Sequence, residues 1–86
     1  MEIKKQVILR SVAGEHMLIP AGETVLEYNG IFTITESGKF LWDNIEKGAD
    51  EKELVNLLVQ EYGIDTDTAS ADVNEFIEML RAFGIV

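Results

Sequence analysis

The hydrophobic pattern of this chain changes period once, near residue 35, and that change constrains the fold more than any other feature. Up to Thr35 the apolar residues lie in short β-branched runs; beyond it they recur at helical spacing. No linker, low-complexity segment or internal repeat separates the two halves. Strands followed by helices predict a single α+β domain over residues 1–86. The expected fold is winged-helix-like, with a three-stranded antiparallel β-sheet in residues 1–35 and a three-helix bundle in residues 36–86.

Residues 6–12, rich in Val and Ile, read as the first strand. Ala13-Gly14-Glu15 is a turn in which Gly14 is free to take positive φ. His16 to Ile19 returns as a second strand, and Pro20 stops it because proline donates no ladder hydrogen bond. Glu23 to Asn29 fits either a short strand or an irregular crossover, and Asn29-Gly30 is a turn signal. Ile31-Phe32-Thr33-Ile34-Thr35 is the clearest strand, with Phe32 and Ile34 on one face and Ile31, Thr33 and Thr35 on the other. Thr35 also suits the N-cap of the first helix, whose stripe is Phe40, Leu41 and Ile45 and whose end is Gly48. Asp50 caps the second helix, with Glu53 three residues on and Leu54, Leu57, Leu58 and Tyr62 at helical spacing; Gly63-Ile64 ends it. Asp65 or Thr66 caps the third, which runs to about Phe83 before Gly84-Ile85 repeats the stop. That helix carries two apolar stripes. Ala69, Val73, Ile77 and Leu80 form one, enough to pack a surface helix. Phe76, Met79 and Phe83 form the other, which either widens the core contact or lines a groove, with Phe83 folding under the domain.

The chain has sixteen acidic and seven basic residues, for a net charge of −9. Residues 1–30 contribute −1 and residues 31–86 contribute −8. Nucleic-acid affinity depends on Lys and Arg neutralising phosphates, so this balance speaks against DNA, RNA and anionic membrane surfaces as partners. The winged-helix outline does not rescue DNA binding, because the third helix sets Asp67, Asp72, Glu75 and Glu78 against Arg81 alone. No apolar run approaches the roughly 18–20 residues of a membrane span. Val7-Ile8-Leu9, broken by Arg10, is too short for a signal-peptide core. Cysteine is absent, which excludes disulfides, thiolate metal sites and cysteine nucleophiles and favours a cytoplasmic setting.

Catalytic chemistry is hard to assemble from these residues. His16 is the sole histidine, and a lone histidine beside a turn reads as an ordinary strand residue. Gly14, Gly22, Gly30 and Gly38 are spread among turns and form no phosphate cradle. The carboxylates read as solvated helix faces, and no stretch matches a calcium loop. Trp42 reads as a core residue. The sequence therefore predicts no catalytic residue, no metal site and no cofactor.

The segment Thr35-Glu36-Ser37-Gly38-Lys39-Phe40-Leu41-Trp42 resembles the N-E-T-G-x-x-I/L-W signature of the PqqD-like family, named for a pyrroloquinoline quinone biosynthesis protein. Ile45 and Gly48, Glu53-Leu54-Val55, Tyr62, Asp72-Val73 with Phe76-Ile77, and Leu80 with Gly84-Ile85-Val86 continue the match in order and spacing. Thr35 departs from the family's frequent asparagine, though either residue can cap a helix. The resemblance implies a non-catalytic peptide-recognition domain. Members bind the leader segment of a ribosomally made precursor peptide and present it to a modifying enzyme, commonly a radical S-adenosylmethionine maturase. The leader docks as an extra strand on the third strand, in the cleft beside the third helix. Carried onto this chain, the peptide-binding set is Ile31, Phe32, Thr33, Ile34 and Thr35 through their backbone, with Asp72, Val73, Phe76, Ile77, Met79 and Leu80 shaping the groove. Asp72, Glu75 and Glu78 would rim it.

Strand addition agrees with the residues read on their own, since an unpaired edge is a template for another strand. The same edge also suits a second reading, a general protein-interaction domain pairing with itself in a homodimer. A winged-helix nucleic-acid binder is the remote third.

Overall fold

The structure, a computed structural model, describes residues 1–22 and 32–86. Three strands precede three helices: β1 (Val7–Val12), β2 (Glu15–Pro20), β3 (Phe32–Ile34), α1 (Glu36–Glu46), α2 (Glu51–Tyr62) and α3 (Thr66–Ala82). The sheet is antiparallel in the order β1-β2-β3. This is the α+β arrangement expected from the change of period. Ile31, the Asn29-Gly30 turn and the ambiguous stretch Glu23–Asn29 lie outside the described residues.

The β1–β2 hairpin closes on the pair Val12↔Glu15, leaving Ala13 and Gly14 as a two-residue loop. Both have positive φ, 53° and 82°, as a turn matched to the right-handed twist of a hairpin requires. The sequence signals this at Gly14; Ala13 adopts the same region without glycine's freedom.

Opposite residues on paired strands share a face, so the register sorts the sheet. Leu9↔Leu18↔Phe32 and Ser11↔His16↔Ile34 point one way. Leu18 and Ile34 are buried on that face. Arg10↔Met17↔Thr33 point the other way, and Thr33 is exposed. The helices cover the first face. Leu41, Trp42 and Ile45 of α1, Leu54 and Leu58 of α2, and Ala69, Val73, Ile77 and Leu80 of α3 complete one core with Leu18, Ile34 and Ile85. Each fully buried aliphatic side chain stabilises the fold by roughly 1.5–3 kcal/mol relative to exposure.

Helix boundaries follow their caps. The Thr35 hydroxyl accepts from the Gly38 amide at 3.1 Å, Asp50 Oδ1 from the Glu53 amide at 2.8 Å, and Asp65 Oδ1 from the Thr68 amide at 2.7 Å. The bonds to Thr68 hold the Asp65 carboxyl below the usual carboxylate range. Asp65, and not Thr66, is thus the third cap. At the far end of α3 the Ile85 amide returns to the Leu80 carbonyl at 2.9 Å and buries Ile85 completely. The Lys4 amide donates to the Ile85 carbonyl, tying the N-terminal segment to the end of the chain.

Three details differ from the sequence reading. Gly38 is not a turn residue; it lies inside the first turn of α1 and is buried. Phe83 is tucked in less than expected: it is 37% exposed, and its ring packs on Phe32 with centroids 4.2 Å apart. His16 is more than a plain strand residue. Its Nε2 bonds the Glu36 carboxylate and its Nδ1 lies 2.6 Å from the Ser11 hydroxyl, joining β1, β2 and α1. A carboxylate only accepts, so Nε2 is the donor to Glu36, and the Ser11 hydroxyl, which can donate or accept, serves Nδ1.

Candidate functional site

β3 is an edge strand. It pairs with β2 on one side, and among the described residues no strand pairs with its other side. Along an edge, alternate backbone amides and carbonyls point away from the sheet and remain available. Its place in the order β1-β2-β3 makes β3 an edge among the described strands.

α3 runs beside this edge in the opposite direction. Phe83, at its C-terminal end, meets Phe32, whereas Phe76, a helical position nearer the N-terminus, comes close to Gly38 and Ile34 at the other end of β3. Between strand and helix lies a groove of about 400 Å³. Thr33, Ile34 and Thr35 line one wall, Asp72, Glu75, Phe76 and Met79 line the other, and Ser37, Gly38 and Leu41 of α1 close the end between them.

The second apolar stripe of α3 therefore faces this groove. Phe76 and Met79 are half-buried there, whereas Phe83, outside the groove lining, packs its ring on Phe32. The first stripe does something else. Val73, Ile77 and Leu80 are between 0% and 2% exposed, and none of them lines the groove. They fix α3 against the core and so set the separation of helix and strand. Thr35 contributes its backbone and one wall, because its hydroxyl is engaged as the α1 cap. Glu78 does not line the groove; its carboxylate accepts from the Arg81 guanidinium at 2.9 Å. Ser37, Gly38 and Leu41 belong to the site without having been singled out. Their signal was the Thr35-Glu36-Ser37-Gly38 run, which encodes the cap and the close approach together.

A flexible thioether and a phenyl ring beside an unpaired backbone edge suit an extended peptide: main-chain bonds for affinity, side-chain contacts for selection. Among the described residues no group of three His, Asp or Glu side chains is placed to hold a metal ion. Among them, too, no helix is long and apolar enough to cross a membrane.

Fold and groove together define a class: a small α+β domain in which, among the described residues, one sheet edge lies open beside an apolar helix face. The sequence profile of the family Coenzyme PQQ synthesis protein D (PqqD) matches residues 15–86, and the chain belongs to that family. A solved structure, TbiB1 in complex with the TbiA(beta) leader peptide, superposes with a TM-score of 0.77 at 22% sequence identity, covering 99% of this chain and 93% of that one. At that identity the likeness shows a shared fold. No curated protein matches the chain.

Proposed function

We propose that this protein recognises the leader segment of a ribosomally synthesised precursor peptide and presents it to a modifying enzyme, a radical S-adenosylmethionine maturase being the partner the family resemblance favours. The leader adds as a strand to the open edge of β3 and rests its side chains on Phe76 and Met79. The backbone of Phe32, Thr33, Ile34 and Thr35 supplies the ladder. Val73, Ile77 and Leu80 hold the helical wall in place, and Asp72 stands at its rim. The protein itself performs no chemistry in this reading and works where its precursor is made, in the cytoplasm.

One observation carries the proposal: the edge of β3 at Thr33 and Ile34, on which no further strand pairs among the described residues, faces Phe76 and Met79 of α3 across the groove. An edge alone would fit many partners, and an apolar helix stripe alone would fit the core. Support also comes from family membership and from the shared fold of a protein solved with a leader peptide in place.

An amide-shift titration with the leader of the precursor encoded beside this gene tests it. The expected perturbations centre on residues 33–35, Gly38, Phe76 and Met79. Shifts confined to β1 and α2 would sink the proposal. A concentration-dependent rise in mass without leader affinity would instead favour the homodimer formed through the same edge.

A further inference from the structure

The groove is electrostatically one-sided. Among the described residues its lining includes two carboxylates, Asp72 and Glu75, and no Lys, Arg or His. Both acids are exposed, and among the described residues neither has an ion-pair partner. The nearby cations are committed elsewhere: Lys39 bonds Asp43 at 3.0 Å, and Arg81 bridges Glu78 and Glu51 at 2.9 and 3.5 Å. Glu78, one turn from Glu75 on the same helix, is paired with Arg81, whereas among the described residues the two acids on the groove have no ion-pair partner.

Spacing adds a second constraint. Asp72 and Phe76 are four residues apart on α3, as are Glu75 and Met79, so each acid stands one turn from an apolar partner on one helical face. Four residues of helix rise about 6 Å. Two residues of an extended strand advance about 6.6–6.8 Å and return to the same face. A strand lying along the groove therefore matches each acid–apolar pair with side chains two residues apart.

Resting on the strand-addition reading, we infer that this domain selects peptides carrying Lys or Arg two residues from an aliphatic or aromatic side chain, both on the face turned toward α3. The apolar side chain packs on Phe76 or Met79, and the cation meets Asp72 or Glu75. This pattern differs from a general attraction between an acidic protein and a basic peptide. Moving the cation by one residue keeps the peptide's charge but turns the side chain away from α3.

The test selects binders to the full chain from a library of random short peptides, locates them by amide shifts, and measures affinities at low and high salt. Groove-bound peptides are expected to be enriched in Lys or Arg two residues from an apolar side chain. Replacing that cation by Gln, or moving it by one residue, is expected to weaken binding about two- to fivefold at low salt. Asp72→Asn and Glu75→Gln should weaken the parent peptide by a similar factor and leave the Gln peptide unchanged. Groove-bound peptides without the enrichment, or a charge effect that persists in the doubly substituted chain or after the one-residue shift, would overturn the inference and leave strand addition standing. Selected peptides that shift no groove amide would overturn strand addition and this inference with it.

Discussion

Gly38 sits where β3, α1 and α3 meet. A Cβ built there would lie 3.2 Å from Ile34 Cβ, 3.3 Å from the Phe76 ring and 3.4 Å from the Thr35 hydroxyl. Ile34 is 8% exposed and anchored in the sheet, so it has little room to move. The Phe76 ring borders open groove and can swing into it. Alanine at this helical position also gains up to about 1 kcal/mol of backbone propensity over glycine, which offsets part of the crowding. Gly38→Ala is therefore expected to change stability by less than about 1 kcal/mol in a denaturant titration, because propensity and crowding oppose each other. It should nonetheless weaken leader binding severalfold, because Phe76 is displaced into the space a strand would occupy. Equal losses in stability and affinity would contradict this account. The family signature was legible at this residue, but its reason was not. Sequence counted Gly38 among the turn glycines, whereas the structure shows a glycine kept small by a neighbour thirty-eight positions along the chain.

At the scale of the element, α3 serves two surfaces at once. Ile77 is fully buried against the sheet and the other helices, and Met79, two positions on, is half-buried against the groove. Ile77→Ala should cost about 2–5 kcal/mol of unfolding free energy through lost burial and the cavity left behind. Met79→Ala should cost less than about 1 kcal/mol in stability, because its side chain touches open space as well as the core. Its effect belongs on affinity for the leader. Chemical denaturation beside the peptide titration separates the two, and a reversal of the order would mean that the groove wall and the core face had been exchanged. Both stripes were legible as periodicities, because a helix repeats every 3.6 residues whatever it packs against. Which stripe met the core was only partly legible: Ala69, Val73, Ile77 and Leu80 form an unbroken row, yet the sequence reading also gave Val73, Ile77 and Leu80 to the groove, where none of them lies. What faced the second stripe was not legible. The contacts of Phe83 with Phe32, and of Phe76 with the start of α1, join residues far apart in sequence, and no local pattern records them. The bond from His16 to Glu36 escaped for the same reason.

For the molecule as a whole, the groove is built from residues 33 to 79, so an unfolded chain has no site to offer. A domain of 86 residues holds one modest core, and its stability is a small difference between large terms. Ligand binding to the folded state alone then has a large visible consequence. At a leader concentration one hundred times its dissociation constant, mass action adds about 2.7 kcal/mol to the folded state. In a domain of this size each kcal/mol moves the melting temperature by roughly 4–8 °C, so the expected rise is about 10–20 °C. Calorimetry with the saturating leader and with a scrambled control measures it. The scrambled peptide keeps the charge and should move the transition little, which separates groove binding from the general pull of a chain with net charge −9. A leader that binds at equilibrium yet leaves the melting temperature unchanged would have to bind the unfolded chain equally well, and that would be incompatible with a site assembled from an edge strand and a distant helix.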